Sequence, residues 1–142
     1  MSNFNAFFAQ KKLKPETIKV VVSDSFVNED GKPIEWEIRV IKAGEDKEIR
    51  RASTRKVKAG GRSNAYTQEL DPNLYLSKMT AASVVYPDLN DAELQNSYGV
   101  MGAEALLDEM LTAGEYVRLS GKVAEINGFN ESVEELVEEA KN

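Results

Sequence analysis

The spacing of apolar positions near the N-terminus is that of one short helix. Phe4, Phe7 and Phe8 lie at positions i, i+3 and i+4, which places them on one helical face, and Asn3 is a suitable N-cap. A helix this short is marginal by itself and has to pack against something. We therefore predict a docking segment over residues 1–14. The segment can dock either onto the protein's own domain, which we favour, or onto a partner.

The apolar spacing changes to period two over residues 17–42, which is the pattern of a half-buried β-hairpin. Asp30 and Gly31 lie between the two alternating runs and supply the positive φ that a tight turn requires. A lone hairpin is not stable in water, so we expect helices to cover its apolar face, with Trp36 as the anchor. The alternating apolar positions are Ile18, Val20 and Val22 in one run, and Ile34, Trp36, Ile38 and Val40 in the other.

Helical spacing returns after residue 43. We predict a basic, weakly amphipathic helix from Glu45 to about Lys56, followed by a flexible loop over residues 58–64. Asp71 and Pro72 have the types expected at the N-cap and first position of a second helix, which should end before Pro87. A shorter helix should follow, capped by Asn90 and ending near Gly99.

The clearest helical stripe lies between Gly102 and Leu111. Thr112 and Glu115 then form a capping box for a further helix that should stop at Gly128, and Ser132 begins the last predicted helix. We therefore predict an α+β fold that is mainly α-helical, with an N-terminal β-hairpin packed against a bundle of short helices. One domain should span residues 1–142, comprising the docking segment 1–14, the hairpin 17–42 and the helical region 43–142. The stripe residues are Ala103, Leu106, Leu107, Met110 and Leu111.

Two residue types are missing altogether, because the chain has no histidine and no cysteine. Their absence excludes disulfides, thiolate or imidazole metal ligands, and the usual nucleophile–histidine catalysis. Carboxylate, lysine and tyrosine chemistry stays open, and a carboxylate-based enzyme would need two convergent acids, a pair that the sequence does not identify. We predict no catalytic residue, no cofactor and no metal site, and favour a protein that is not an enzyme. No apolar run reaches the roughly 18–20 residues of a membrane span, and no signal peptide is evident, so we expect a cytoplasmic protein.

Charge is unevenly distributed. Residues 1–70 contain 14 Lys/Arg and 10 Asp/Glu, whereas residues 71–142 contain 4 and 14. The basic excess concentrates in residues 47–62, the basic segment, where seven Lys/Arg accompany a single acidic residue. A solvated face, an acidic protein partner, self-association and nucleic acid are the alternatives for this segment. Four of its side chains are candidate partner-binding residues, as are the three N-terminal phenylalanines: Arg50, Arg51, Arg55, Lys56, Phe4, Phe7 and Phe8.

Several ordered stretches of this sequence resemble one known family. Residues 86–104 read YPDLNDAELQNSYGVMGAE, and the similarity continues through Leu106, Leu107 and Met110 to Tyr116. Residues 31–39 (GKPIEWEIR) and 125–140 also take part, so the similarity covers nearly the whole chain. On these motifs the chain resembles the XkdN-like, PBSX-type phage tail assembly chaperones.

The resemblance implies a non-catalytic helper in the cytoplasm of the bacterial host, absent from the mature virion or minor in it. Such chaperones bind the tape measure protein and aid assembly of the tail tube, whose subunit is a second expected partner. In related phages a frameshift adds a C-terminal extension to part of the product. Homo-oligomerisation stays open, and we expect neither membrane nor nucleic acid as the main partner. The alternative is a small nucleic-acid-associated regulatory protein that acts through residues 47–62.

Overall fold

The protein has the α+β fold that its sequence predicts. A computed structural model describes residues 3–61 and 64–129. Within them, a three-stranded antiparallel sheet of order β1-β2-β5 lies against helices, and β3 and β4 form a separate two-stranded sheet. In chain order the elements are a 3-10 helix (Asn3–Phe7), β1 (Ile18–Val21), β2 (Glu35–Ile38), α1 (Ala43–Ala52), β3 (Thr54–Lys58), β4 (Tyr66–Leu70), α2 (Pro72–Ser83), β5 (Val84–Tyr86), α3 (Ala92–Ser97), α4 (Ala103–Met110) and α5 (Ala113–Ile126).

The predicted β-hairpin is confirmed as strands β1 and β2. Val20 lies opposite Trp36 in the antiparallel register. Gly31 has φ +78°, the left-handed conformation for which glycine suits this turn. The Asn28 side chain holds the same turn, because its Oδ1 accepts hydrogen bonds from the backbone N–H groups of Asp30 and Lys32 at 2.9 and 3.0 Å.

One core joins the sheet to the helices. Trp36 is buried on β2 as expected, and the α4 residues Leu106 and Leu107 are buried as the helical stripe predicts. Two polar contacts connect α5 to the sheet region: the Arg118 guanidinium donates to the Val22 carbonyl at 3.1 Å, and the Ile41 N–H donates to Asn127 Oδ1 at 2.9 Å. The buried apolar residues are Val22, Trp36, Ile38, Ile41, Met79, Ala81, Leu89, Leu106, Leu107, Leu111, Leu119 and Val123.

Most predicted helix starts are confirmed. Asp71 caps α2 by accepting hydrogen bonds from the N–H groups of residues 73 and 74, and Thr112 forms the predicted capping box of α5 with Glu115. The cap of α3 is Asp91 rather than Asn90, because the Asp91 carboxylate accepts from the Leu94 N–H at 2.9 Å. The helix predicted from Ser132 lies outside the described residues.

The predicted helix from Glu45 to about Lys56 is wrong in its second half. Helix α1 ends at Ala52, and residues 54–58 form β3, paired antiparallel with β4. The predicted loop over residues 58–64 therefore falls largely in the connection of a hairpin. Thr54 and Val57 are β-branched residues, which favour a strand over a helix. Pairing with residues 66–70 supplies the backbone hydrogen bonds that a longer α1 would otherwise have made within the helix.

A third strand, β5, was also missed, between α2 and Pro87. Helix α2 ends at Ser83, and β5 follows without a loop and pairs with β2. The turn after β5 contains a cis peptide bond between Tyr86 and Pro87. The part of the chain predicted to be helical from residue 43 therefore contributes three strands. Val84 and Val85 are β-branched residues that suit a short strand on the edge of the hairpin.

The N-terminal segment is helical but does not pack as expected. Its 3-10 helix contains no buried residue, and Phe4, Phe7 and Phe8 are 63, 80 and 45 % exposed. The favoured expectation that these rings dock onto the protein's own domain is therefore wrong in this structure. A five-residue helix buries too little surface to hold three rings against the core without a matching groove beside it.

Leu107 provides a direct test of the helical core. Replacing Leu107 with alanine should lower the free energy of unfolding by about 2–5 kcal/mol, since the buried side chain leaves a cavity. Urea denaturation followed by circular dichroism measures the change. Asp108→Ala is the matched control in the same helix, exposed to solvent, and should change stability by less than about 0.5 kcal/mol. Equal effects of the two substitutions would contradict the assigned face of α4.

Candidate functional site

An apolar cavity of about 180 Å³ opens beside the three-stranded sheet. Its walls combine the turn side of the β-hairpin, the end of β5, helix α3 and the end of α4. We call it the aromatic pocket, because four of its eight lining residues carry aromatic rings. It is lined by Phe26, Ile34, Trp36, Tyr86, Pro87, Leu94, Tyr98 and Met110.

Residues 86–102 build one wall of this pocket, and the Gln95 side chain at their centre connects its two ends. The Gln95 amide donates to the Leu89 carbonyl at 2.8 Å, and its oxygen accepts from the Gly102 N–H at 3.1 Å. Gln95 thus bonds to both ends of the segment that contains α3. Leu94 and Tyr98 are one helical turn apart, so they share the face of the helix directed at the cavity.

The surroundings of the aromatic pocket are acidic. Glu35 and Glu37 line an adjacent depression together with Lys19 and Tyr86, and Tyr86 belongs to both depressions. An apolar cavity next to such carboxylates suits an apolar side chain that has basic neighbours.

The predicted basic residues are divided between two elements, α1 and β3. Arg50 and Arg51 lie on α1 and are bonded within that helix, Arg50 Nε to Asp46 at 2.8 Å and Arg51 to Glu48 at 2.6 Å. Exposed pairs of this kind add little stability, but they occupy the charges that a partner would need. The Arg50 guanidinium also lies 4.7 Å from the centre of the Tyr75 ring.

Asp46 links Arg50 on α1 to Tyr75 on helix α2. The Tyr75 hydroxyl donates a short hydrogen bond to the Asp46 carboxylate. Burial, together with that bond to an anion, raises the pKa of Tyr75 to about 12. Burial opposes ionisation of Asp46, but the hydrogen bonds from Tyr75 and Arg50 outweigh it and lower the pKa of Asp46. Arg50 therefore belongs to a structural contact between α1 and α2.

Arg55 and Lys56 occupy a different element, the arm formed by β3 and β4. The arm is exposed along nearly its whole length. Successive side chains of a strand point to opposite faces, so Arg55 and Lys56 do not share a face. Arg55 lies opposite Glu69, whereas Lys56 lies opposite Gln68. Of the four predicted basic residues, these two are the better placed to contact a partner.

The described residues contain no other candidate chemistry. Across residues 3–61 and 64–129, no group of three or more Asp or Glu side chains is arranged to hold a metal ion. None of the helices in this part of the chain combines the length and the apolar character that crossing a bilayer requires.

The chain combines an α+β scaffold with the apolar pocket described above, and comparison with known proteins identifies its class. The sequence model described as phage XkdN-like tail assembly chaperone protein, TAC, matches residues 4–141. The phage-like element PBSX protein XkdN of Bacillus subtilis (strain 168) is 31% identical over 139 residues, which cover 96% of this chain and 91% of XkdN. The chain therefore belongs to the XkdN-like family of phage tail assembly chaperones.

Two further similarities concern the protein YqbN. YqbN, an uncharacterised protein of the same Bacillus strain, is 28% identical over 139 residues, covering 96% of this chain and 91% of YqbN. The crystal structure of a protein YqbN superposes with a TM-score of 0.77, at 22% identity, over 91% of this chain and 98% of that one. At that identity the superposition supports the fold alone.

The aromatic pocket is the feature that sequence reasoning missed, although its residues were visible. The sequence pattern assigned Trp36 to the core and predicted a short helix between Asn90 and Gly99, and the family resemblance used residues 86–104, but neither placed these residues around a cavity. One signal in the sequence could have revealed the pocket. Two tyrosines, Tyr86 and Tyr98, occur close to Pro87 in a stretch of short elements. Tyrosines often line protein-binding surfaces, because the ring is apolar and the hydroxyl stays hydrated.

The contact between α1 and α2 gives a measurable titration. Since the folded-state pKa of Tyr75 lies above the ordinary value of 10.0, its stabilising effect is fully present below about pH 10 and is lost as pH rises through about 12. The difference in absorbance at 295 nm between wild type and Tyr75→Phe reports the ionisation of Tyr75 alone. We expect a midpoint near pH 12 where circular dichroism shows the fold intact, and a lower midpoint in Asp46→Asn. A wild-type midpoint near pH 10 would contradict the hydrogen bond.

Proposed function

We propose that the chain assists phage tail assembly by binding the tape measure protein in the aromatic pocket, without catalysing a reaction. The observation that carries this proposal is the pocket itself, an apolar cavity with acidic neighbours in a member of a tail assembly chaperone family. A long helical client presents apolar stripes before assembly, and recognition of a helix in a groove uses anchor side chains that enter such cavities.

The arm supplies a second contact in this proposal. Arg55 and Lys56 lie on a projecting hairpin, outside the core cluster, and their charges suit acidic positions of the client. Rim charges of this type speed and orient encounter more than they increase affinity. The pocket therefore provides most of the binding free energy, and the arm contributes an electrostatic attraction that salt screens. Binding takes place in the host cytoplasm, with the tail tube protein as the next partner.

Substitution at the pocket entrance tests the main contact. Tyr86→Lys replaces an apolar wall of the cavity with a charge, which should disfavour binding of an apolar client side chain. The fold should tolerate the substitution, because residue 86 lies opposite Glu37 on the neighbouring strand. On co-expression with the tape measure protein of the same phage, wild type should increase soluble tape measure protein and copurify with it. Tyr86→Lys should weaken the complex about tenfold or more.

Val117→Lys is the matched control for this substitution. Val117 is 67 % exposed on α5 and does not line the pocket, so its replacement should leave both stability and copurification unchanged. If the two variants bind equally well, the pocket is not the client site. If wild type does not change the solubility of the tape measure protein, binding of that client is itself contradicted.

Charge reversal tests the arm separately. The double variant Arg55→Glu/Lys56→Glu should slow association with the client and reduce its dependence on salt, with little change in melting temperature because both side chains are exposed. Arg51→Glu is the comparison on α1, where the side chain is already paired with Glu48. An unchanged association rate in the double variant would remove the arm from the client interface.

The second candidate function, nucleic-acid binding, has one observation in its favour. Lys58 lies opposite Tyr66 on the arm, which places a cation and an exposed ring together beside Lys56. Stacking rings and cations on a projecting surface are typical of single-strand binders. This alternative requires binding to DNA or RNA that weakens steeply between about 50 and 200 mM salt and is lost in Arg55→Glu/Lys56→Glu. A fluorescence anisotropy titration with a labelled oligonucleotide separates the two functions.

A further inference from the structure

The N-terminal segment presents a cluster of aromatic rings at the surface. The Phe4 ring centre lies 6.3 Å from that of Phe7 and 5.5 Å from that of Phe8, so the three rings form one group. Phe7 is the most exposed of them, at 80 %. Isolated exposed apolar residues are normal, but a contiguous apolar group marks an interaction surface.

This segment is also basic. Lys11, Lys12 and Lys14 follow the rings, and residues 3–14 contain no acidic side chain. Its second part, residues 9 and 12–15, lines a depression together with Lys42, next to the start of α1. None of the residues 3–15 lines the aromatic pocket. In this structure the rings of a chain therefore lie outside that chain's own pocket.

The pocket and the segment complement each other in size and in charge. An apolar cavity of about 150 Å³ is large enough to bind benzene, and the aromatic pocket has about 180 Å³. Its walls include Trp36 and Tyr98, against which a phenylalanine ring packs favourably. Glu35 and Glu37, which line the depression next to the pocket, are opposite in charge to the lysines that follow Phe7 by four to seven residues.

We propose that the aromatic pocket binds the Phe7 ring of a second copy of this chain. The contact is heterologous, because the segment of one copy enters the pocket of the next, and such contacts produce open series of subunits unless the rotation closes a ring. The pocket is the same one that the proposed function assigns to the tape measure protein. A client would then displace the neighbouring copy, and this exchange, unlike the self-association, rests on the proposed function.

Self-association of the full chain tests the contact without any client. In sedimentation velocity over a concentration series, wild type should form larger species as concentration rises. Phe7→Asp and Tyr86→Lys should each raise the dissociation constant about tenfold or more. Val117→Asp, another exposed apolar residue, is the matched control and should associate like wild type. An equal mixture of Phe7→Asp and Tyr86→Lys should form a one-to-one dimer and nothing larger, since it retains one intact segment and one intact pocket.

Trp36 identifies where the segment binds, because it is the single tryptophan of the chain and lines the pocket. A synthetic peptide of residues 3–14, titrated into the full-length Phe7→Asp variant, should change Trp36 emission in a saturable way. The same peptide with the Phe7→Asp substitution should not. An unchanged emission would overturn the pocket as the binding site even if Phe7→Asp abolished association.

Two other outcomes also decide the matter. A wild type that stays monomeric, with Trp36 emission that differs from Phe7→Asp at every concentration, would mean that the segment enters its own pocket, and the second-copy proposal would be overturned. A monomeric wild type with no peptide response would overturn the contact altogether. Neither result bears on binding of the tape measure protein, which is measured independently.

Discussion

The packing of α2 on several sides at once is the interaction on which the rest of the structure depends. This helix contacts α1, α4, α5 and β5. Its small residues Ala81 and Ser83 are buried and let neighbouring elements approach closely, and the Ser83 carbonyl accepts a hydrogen bond from the Arg39 N–H at 2.8 Å. Because β5 follows α2 directly, the position of α2 also sets β5 beside β2 and places Tyr86 at the mouth of the aromatic pocket.

The charged residues divide into those that hold elements together and those that stay available. Asp46 and Arg50 connect α1 to Tyr75 on α2, and Lys78 bonds to Glu104 at 3.0 Å between α2 and α4. Substituting Arg50 would therefore disturb the scaffold as well as any partner. Glu35 and Glu37 lie next to the pocket, whereas the cations Arg55 and Lys56 lie on the arm, so the two candidate contacts carry charges of opposite sign.

Sequence patterns predicted the elements whose stabilising signals are local, and the core they build. The caps Asp71 and Thr112, the turn glycine at position 31 and the apolar stripe through Leu107 all act within one element, so they were visible without the fold. The arm and β5 were missed, because short strands depend on partners distant in sequence. The pocket was missed for the same reason, since its walls come from segments that the chain brings together only on folding, residues 26–36 and 86–110 among them.

The most direct test of the account is amide hydrogen exchange on the purified complex with the tape measure protein, compared with the free chain. If the aromatic pocket receives the client, protection should concentrate in residues 26–36, 86–98 and around Met110, which line the pocket. The arm should gain less protection, since its proposed role is to orient the client. Protection confined to residues 54–70, with the pocket segments exchanging as in the free chain, would contradict the claim that the pocket is the site of chaperone function.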